Sequence, residues 1–192
     1  PGYFNKDDPK KVSRFIRRCV SIAKPLGGHS ITMPSGIKVD SKEWERNVKI
    51  VKKYILEEAK FAVDHGVQLS LETPHPHTLT ESLEEVKLFY EILDSNSVKC
   101  TFDTSHVIRG EKNTIVEGLD IIGIERINHF HLRDTIGYET CFTPGKGHGD
   151  FSEFFERIKS SSYKGDFIFE LEFEDYLENE KANPAHVVRT KQ

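Results

Sequence analysis

An α/β fold built on a parallel sheet, of the (β/α)8 TIM-barrel type, is predicted for this chain by three observations. Short apolar runs suited to strands alternate with segments of helical period. Four of the runs end in Glu72, Asp103, His131 and Glu170, at intervals of 31, 28 and 39 residues. Each interval holds one helical pattern, which is the length of a strand-helix-strand unit. In a barrel of parallel strands the carboxyl ends share one mouth, so these four side chains would meet there. Three carboxylates and a histidine gathered in one place call for a cation.

The elements follow in order. From Val12 to Lys24 the residues Val12, Phe15, Ile16, Cys19, Val20 and Ala23 form one apolar face; Gly27-Gly28 stops the helix and ITMPS reads as a short strand. GIKVDSKEWERN reads as a polar loop. Val48, Val51, Ile55, Ala59, Phe61 and Ala62 predict a long amphipathic helix to Asp64, ended by Gly66 and followed by the strand VQLSLE. Thr80-Glu81-Ser82-Leu83 opens the next helix with capping residues, VKCTFD is a strand, and Ile115 to Ile124 is a short helix leading into INHFHL. TIGYETCFTPGKGHGD reads as a loop, Phe151 to Ser160 as a helix, and GDFIFELE as the last strand. NPAHVVRT has room for a short helix at most. The result is five strands and about six helices in strict alternation, with no hairpin signal.

Composition narrows the function. The 192 residues, 36% hydrophobic and 30% charged, suffice for one sizeable core. No run approaches a membrane span and PGYFNKDDPKK lacks the apolar stretch of a signal peptide, so a cytoplasmic protein with no membrane partner is expected. Cys19, Cys100 and Cys141 are odd in number and widely spaced, and are read as reduced thiols. A net charge of −4 argues against a nucleic-acid partner, whose affinity comes mainly from phosphate neutralisation, and in favour of a small polar substrate. An eight-stranded barrel takes about 250 residues, more than are present. With Pro1 at the start and PGYFN resembling a loop that leaves a strand, an amino-terminal portion is expected upstream. The alternative is a small open sheet with unsealed edges, prone to association as a homo-oligomer.

Each candidate residue also has a plainer reading. Glu72 or Glu170 alone would be a solvated rim charge; their recurrence at strand ends is what argues otherwise. Asp103 and His106 lie three apart in DTSH, a spacing that lets both face one mouth but is weak by itself. His129 and His131 share a strand face, with His129 read as buried and His131 as reaching the mouth.

Five segments taken together are specific: LSLETPH, FDTSH, HFHLRD, PGKGHGDF followed by a helix, and YKGDFIFELE. With them the sequence resembles the xylose isomerase-like TIM barrels, the sugar isomerase/epimerase group related to AP-endonuclease family 2, from the helix before ITMPSG to Glu170. The resemblance implies a single barrel domain over residues 1–192 whose visible strands correspond to the fourth to eighth, the first three being absent. It also implies Glu72, Asp103, His131 and Glu170 as ligands of a divalent metal. Around them, His106 is a candidate for a substrate hydroxyl and His75, three past Glu72, for facing the ligand. Arg133 is a candidate for a polar or anionic substituent, or else a rim partner of Asp134. Lys146 sits between glycines that permit close backbone approach, or is simply a solvated lysine.

Carboxylates and one imidazole suit Mn²⁺ or Mg²⁺, and Co²⁺ or Zn²⁺ belong to the same divalent set. Such an ion chelates adjacent hydroxyl and carbonyl oxygens of a sugar or cyclitol and acidifies the neighbouring C–H through an enediolate, with Glu72 and Glu170 as the proton-transferring groups. Epimerisation, aldose–ketose isomerisation and dehydration of a cyclitol or keto acid all remain open at this point. An AP-endonuclease-like phosphodiesterase is the competing class. Against it, Met33 stands at the ITMPSG strand end where that family places a histidine, Glu139-Thr140-Cys141 replaces its Asp-x-His, and a thioether is a poor ligand beside carboxylates. A barrel that only binds a sugar is the third possibility.

Overall fold

The computed structural model describes residues 2–170; the NPAHVVRT segment lies outside the described residues. In chain order the elements are α1 (Pro9–Ala23), β1 (Ser30–Pro34), α2 (Ser41–Asp64), β2 (Gln68–Glu72), α3 (Leu83–Leu93), β3 (Val98–Asp103), α4 (Thr104–Ile108), α5 (Ile115–Ile122), β4 (Ile127–Leu132), β5 (Asp134–Ile136), β6 (Glu139–Phe142), α6 (Phe151–Lys159) and β7 (Asp166–Phe169). The main sheet has the order β1-β2-β3-β4-β7, and every pair in it is parallel. Parallel neighbours require crossovers, which the helices supply.

Local chemistry sets the helix ends. Asp8 caps α1 by accepting from the Lys10 amide, with Pro9 as the first helical residue. Ser82 with Glu85 and Thr114 with Glu117 form reciprocal capping boxes on α3 and α5. Gly66, at a φ of 70°, lets the chain turn from α2 into β2. Two helices are also tied together by charge: buried Glu58 of α2 takes a two-point contact from Arg17 of α1, at 2.9 and 3.0 Å.

The alternation of side chains divides the sheet into two faces. Leu69, Leu71, Cys100, Phe102, Phe130 and Leu132 face the helices and form the core with Ile55, Phe89, Leu119 and Phe154. The other face is polar. Thr32 Oγ1 lies 2.8 Å from Thr101 Oγ1, and both lie 3.4 Å from His129 Nε2, so His129 is a buried histidine held by hydroxyls. The sheet curls strongly: the Asn128 side-chain amide of β4 donates to Ser30 Oγ of β1 at 2.7 Å, and His29, just before β1, meets Asp166 of β7 at 2.7 Å, tying the first strand to the fourth and the last at their amino-terminal ends.

Two sequence expectations are corrected, and one further element is added. GIKVDSKEWERN is helical from Ser41 onward. Its first turns are largely solvent-facing, so no apolar period marks them; Trp44 alone turns inward, its indole N–H donating to the Leu79 carbonyl at 2.7 Å. The segment after β4 is not a plain loop, because β5 and β6 pair as an antiparallel hairpin around Gly137-Tyr138. Gly137 takes a φ of 60° there, and arms of three and four residues are too short to show an alternating pattern. Finally, α4 is a helix of five residues that the DTSH box itself begins.

Phe130 is the aromatic hub of the core, with ring centroids 4.9–5.3 Å from Phe102, Phe154, Tyr163 and Phe167. Truncation of Phe130 to Ala is expected to lower stability by about 3–5 kcal/mol, measured by denaturant unfolding.

Candidate metal centre

Strand register assembles the site. Asp103 at the end of β3 is the register partner of His131 on β4, and Glu72 ends β2 beside Thr101. On the other side, His131 is opposite Ile168 of β7, two residues before Glu170. All four side chains therefore project at the carboxyl end of the sheet. One potential ligand atom from each of Glu72, Asp103, His131 and Glu170 lies within 4.8 Å of all the others. Two atoms bound to one hard cation at about 2.0–2.6 Å are separated by at most twice that length, so this spread fits a single ion.

His131 lies between two carboxylates. Its Nδ1 is 3.1 Å from Glu72 Oε1 and 2.9 Å from Glu170 Oε2. Burial works against the charged ring, but the hydrogen bonds to Glu170 and Glu72 outweigh it and push the His131 pKa up to about 10. Burial would raise Glu72, yet His131 and, more weakly, His75 hold it below the usual carboxylate range.

Asp103 is fully buried and its two oxygens have separate duties. Oδ1 accepts from the Ser105 amide and hydroxyl and from the His106 amide, capping α4. Oδ2 is gripped by Arg133 through Nε at 2.7 Å and Nη2 at 2.6 Å. Burial opposes the Asp103 charge, but His106, Arg133 and Ser105 overcome it and lower its pKa. Arg133 is buried and Nη2 also approaches Glu170 Oε2 at 3.4 Å, so its guanidinium belongs to the cluster. Among the described residues Arg133 is paired with Asp103 and Glu170, while the Asp134 carboxylate accepts from loop amides.

A second grouping adjoins the first. Glu72, His75 and His106 also offer ligand atoms within 4.8 Å of one another, with His75 Nε2 3.7 Å from Glu72 Oε2. His75 donates Nδ1–H to the Pro76 carbonyl at 2.8 Å, which directs Nε2 toward the carboxylate. His106 accepts from Arg133 Nη2 at 3.0 Å, and burial lowers its pKa and keeps it neutral. Lys146 is exposed on the loop before α6 and makes no side-chain contact with the cluster among the described residues.

The ledger of charge favours a divalent cation. Glu72, Asp103 and Glu170 carry three negative charges and Arg133 one positive charge. With His131 neutral, the remainder of −2 matches one divalent ion; without the ion, the proton on His131 offsets half of it. The oxygen-rich donor set with one imidazole suits Mn²⁺, Mg²⁺, Co²⁺ or Zn²⁺.

Asp134 was not among the sequence candidates, yet it organises the loop over this end of the sheet. Its buried carboxylate accepts from the amides of Thr135, Gly145, Gly147 and Gly149 at 2.8–3.0 Å. The alternating glycines of PGKGHGD were the available signal: a Cβ on Gly147 would fall 2.6 Å from Asp134 Oδ1. Such a Cβ would also fall 2.1 Å from the Thr135 carbonyl, so glycine at 147 is required by close approach to the Thr135 backbone and the Asp134 carboxylate.

A family model described as the xylose isomerase-like TIM barrel matches residues 2–189. The chain belongs to this family. Curated protein sequences give no match. Among solved structures, a D-tagatose 3-epimerase-like protein is similar at 21% identity and a TM-score of 0.75, covering 99% of this chain and 75% of its own. The 3-keto-D-glucoside 4-epimerase of E. coli is similar at 17% identity and a TM-score of 0.71, covering 98% and 75%. A structure of the IOLI protein with a bound zinc atom is similar at 19% identity and a TM-score of 0.69, covering 98% and 74%. At these identities the likeness establishes the TIM-barrel fold of the family, of which the five parallel strands described here are part. The chain spans about three quarters of the length of these three structures.

Replacing Asp134 with Ala leaves the loop amides without their buried acceptor. The expected result is a loss of about 2–3 kcal/mol and faster amide exchange confined to residues 145–149, read by hydrogen exchange.

Proposed function

We propose that this chain is a divalent-metal-dependent isomerase or epimerase that moves a proton on the carbon next to the carbonyl of a sugar or cyclitol. The observation that carries this reading is the pair of carboxylates at one point: Glu72 and Glu170, from strands on opposite sides of β4 and β3, both reach His131 Nδ1. Glu72, Asp103, His131 and Glu170 would hold the ion, Mn²⁺, Mg²⁺, Co²⁺ or Zn²⁺, whose charge when bound polarises a substrate carbonyl and stabilises an enediolate.

The protein's own groups do the rest. Glu72, kept ionised by its neighbours, is suited to take a proton from one face of the substrate carbon. Glu170, less buried than Glu72, stands where, once it has taken a proton from solvent, it can deliver that proton to the other face. A net transfer inverts that carbon, with solvent resetting the two carboxyls. If one carboxylate instead serves two adjacent carbons, the outcome is aldose–ketose interconversion; if the proton goes to a β-hydroxyl, water leaves. His75 and His106 border the site and can orient substrate hydroxyls. Arg133 acts through Asp103, fixing its position and charge, and Lys146 serves at most at the outer rim.

The comparisons support the reading in kind: two of the similar structures are a 3-epimerase-like protein and a 4-epimerase of sugars, and the third holds zinc. In deuterated water a ketohexose substrate is expected to gain deuterium at the carbon beside the carbonyl, read by NMR. Glu72→Gln and Glu170→Gln should each lower turnover by about 10²–10⁴-fold while leaving the fold intact; deuterium wash-in that persists in both variants would remove these carboxylates from the mechanism.

Metal loading has its own signature. Because the His131 pKa stands at about 10 without metal, the ring is charged at neutral pH and must lose its proton to become a ligand. Affinity should therefore rise with pH, by about tenfold per unit between pH 6 and 8 if one proton is released. Calorimetry of Mn²⁺ binding in buffers of different ionisation enthalpy counts that proton, and chelation should abolish turnover.

A further inference from the structure

The pairing of β3 with β4 stops just where the candidate metal centre stands. Its last register pair is Asp103 with His131, and one residue later the chain has become α4, which begins at Thr104. On the other strand Arg133 is the single residue between β4 and β5, the point at which the chain leaves the main sheet for the hairpin. Its amide and carbonyl therefore lie past the end of the β3–β4 ladder, in a residue that is almost fully buried. Buried backbone groups need partners, and these two must find theirs outside that ladder.

One side chain supplies both. The Arg133 amide donates to Thr104 Oγ1 at 3.1 Å, and the Thr104 hydroxyl donates to the Arg133 carbonyl at 2.6 Å. The His131 carbonyl lies 3.3 Å from the same oxygen. A hydroxyl accepts and donates at once, so Thr104 stands in for the backbone of a strand that has turned into a helix. Thr104 is itself fully buried, which keeps water from competing for these bonds.

The consequence for the site comes from what Arg133 carries. Its guanidinium grips Asp103 Oδ2 through Nε at 2.7 Å and Nη2 at 2.6 Å, and Asp103 directly precedes Thr104 in the chain. The Asp103-Thr104 pair thus holds Arg133 at both ends, with the carboxylate at its tip and the hydroxyl at its backbone. Ser105 and the His106 amide serve the other oxygen, Asp103 Oδ1, so the duty of Thr104 is separate from theirs. Two N–H groups of a rigid fork converging on one carboxylate tolerate little displacement, and releasing the backbone end lets the fork shift.

We infer that Thr104 is a positioning residue of the candidate metal centre, acting through Arg133 on Asp103. The inference rests on the proposed function for the presence of the ion; the hold on Arg133 stands on the hydrogen bonds alone.

The test compares Thr104→Val, which keeps the shape and removes the hydroxyl, with Thr104→Ser, which keeps the hydroxyl. Thr114→Val is the control, because the Thr114 hydroxyl caps α5 away from the cluster. Two quantities are read on the full chain: Mn²⁺ affinity by calorimetry, and solvent exchange of the Arg133 Nε–H by NMR without metal. In Thr104→Val the affinity should fall by about tenfold and the Nε–H exchange should quicken by about tenfold. Thr104→Ser should restore both, and Thr114→Val should move neither. If valine prevents folding, Thr104→Ala takes its place with the same expectation. Unchanged Mn²⁺ affinity in Thr104→Val, an equal loss in Thr114→Val, or no recovery with serine overturns the proposal. Should the unaltered protein bind no Mn²⁺, the metal reading fails and the exchange rate alone decides: unchanged exchange in Thr104→Val overturns the hold of Thr104 on Arg133, and faster exchange supports it.

Discussion

Like charges crowded at the open end of the sheet are the constraint on which the rest of the structure turns. Glu72, Asp103 and Glu170 stand close enough to share a ligand point, in surroundings too poorly hydrated to screen them fully. Arg133 answers part of the repulsion permanently, since a guanidinium does not titrate in a protein. His131 answers another part by holding a proton between Glu72 and Glu170. The ring proton thus limits the uncompensated charge of the cluster.

The same strand extension divides its labour between adjacent residues. Arg133 and Asp134 follow each other directly, so on extended chain they point in opposite directions. The arginine enters the cluster, and the aspartate enters the glycine loop. One braces the carboxylate cluster and the other holds the glycine loop, and neither could be moved by a residue without exchanging roles. The hairpin between them and α6 completes this arrangement, since Gly137 receives the Gly110 amide at 2.6 Å and so ties the hairpin tip to the turn after α4.

Much of this was legible in the sequence because the strands are short, apolar and followed by acidic or imidazole residues at regular spacing. The five main strands and the meeting of Glu72, Asp103, His131 and Glu170 follow from that periodicity together with the parallel topology. Other features leave no periodic trace. The first turns of α2 face solvent, so polarity there looked like a loop. The β5–β6 hairpin has arms too short to alternate visibly. Arg133 and Asp134 were ambiguous as a pair because sequence adjacency suggests mutual attraction, whereas each found a stronger partner far along the chain, 30 residues away for Arg133 and 11 to 15 away for Asp134.

The DTSH box compresses several duties into four consecutive residues. Asp103 ends a strand, starts a helix with one oxygen and faces the charge cluster with the other, while His106 lies on the first turn it has just capped. Sliding β3 by one position against its neighbours would turn Asp103 to the opposite face of the sheet, and the helix start would leave with it. A pairing error in this strand would thus carry a double penalty, removing a carboxylate from the cluster and the cap from α4 together.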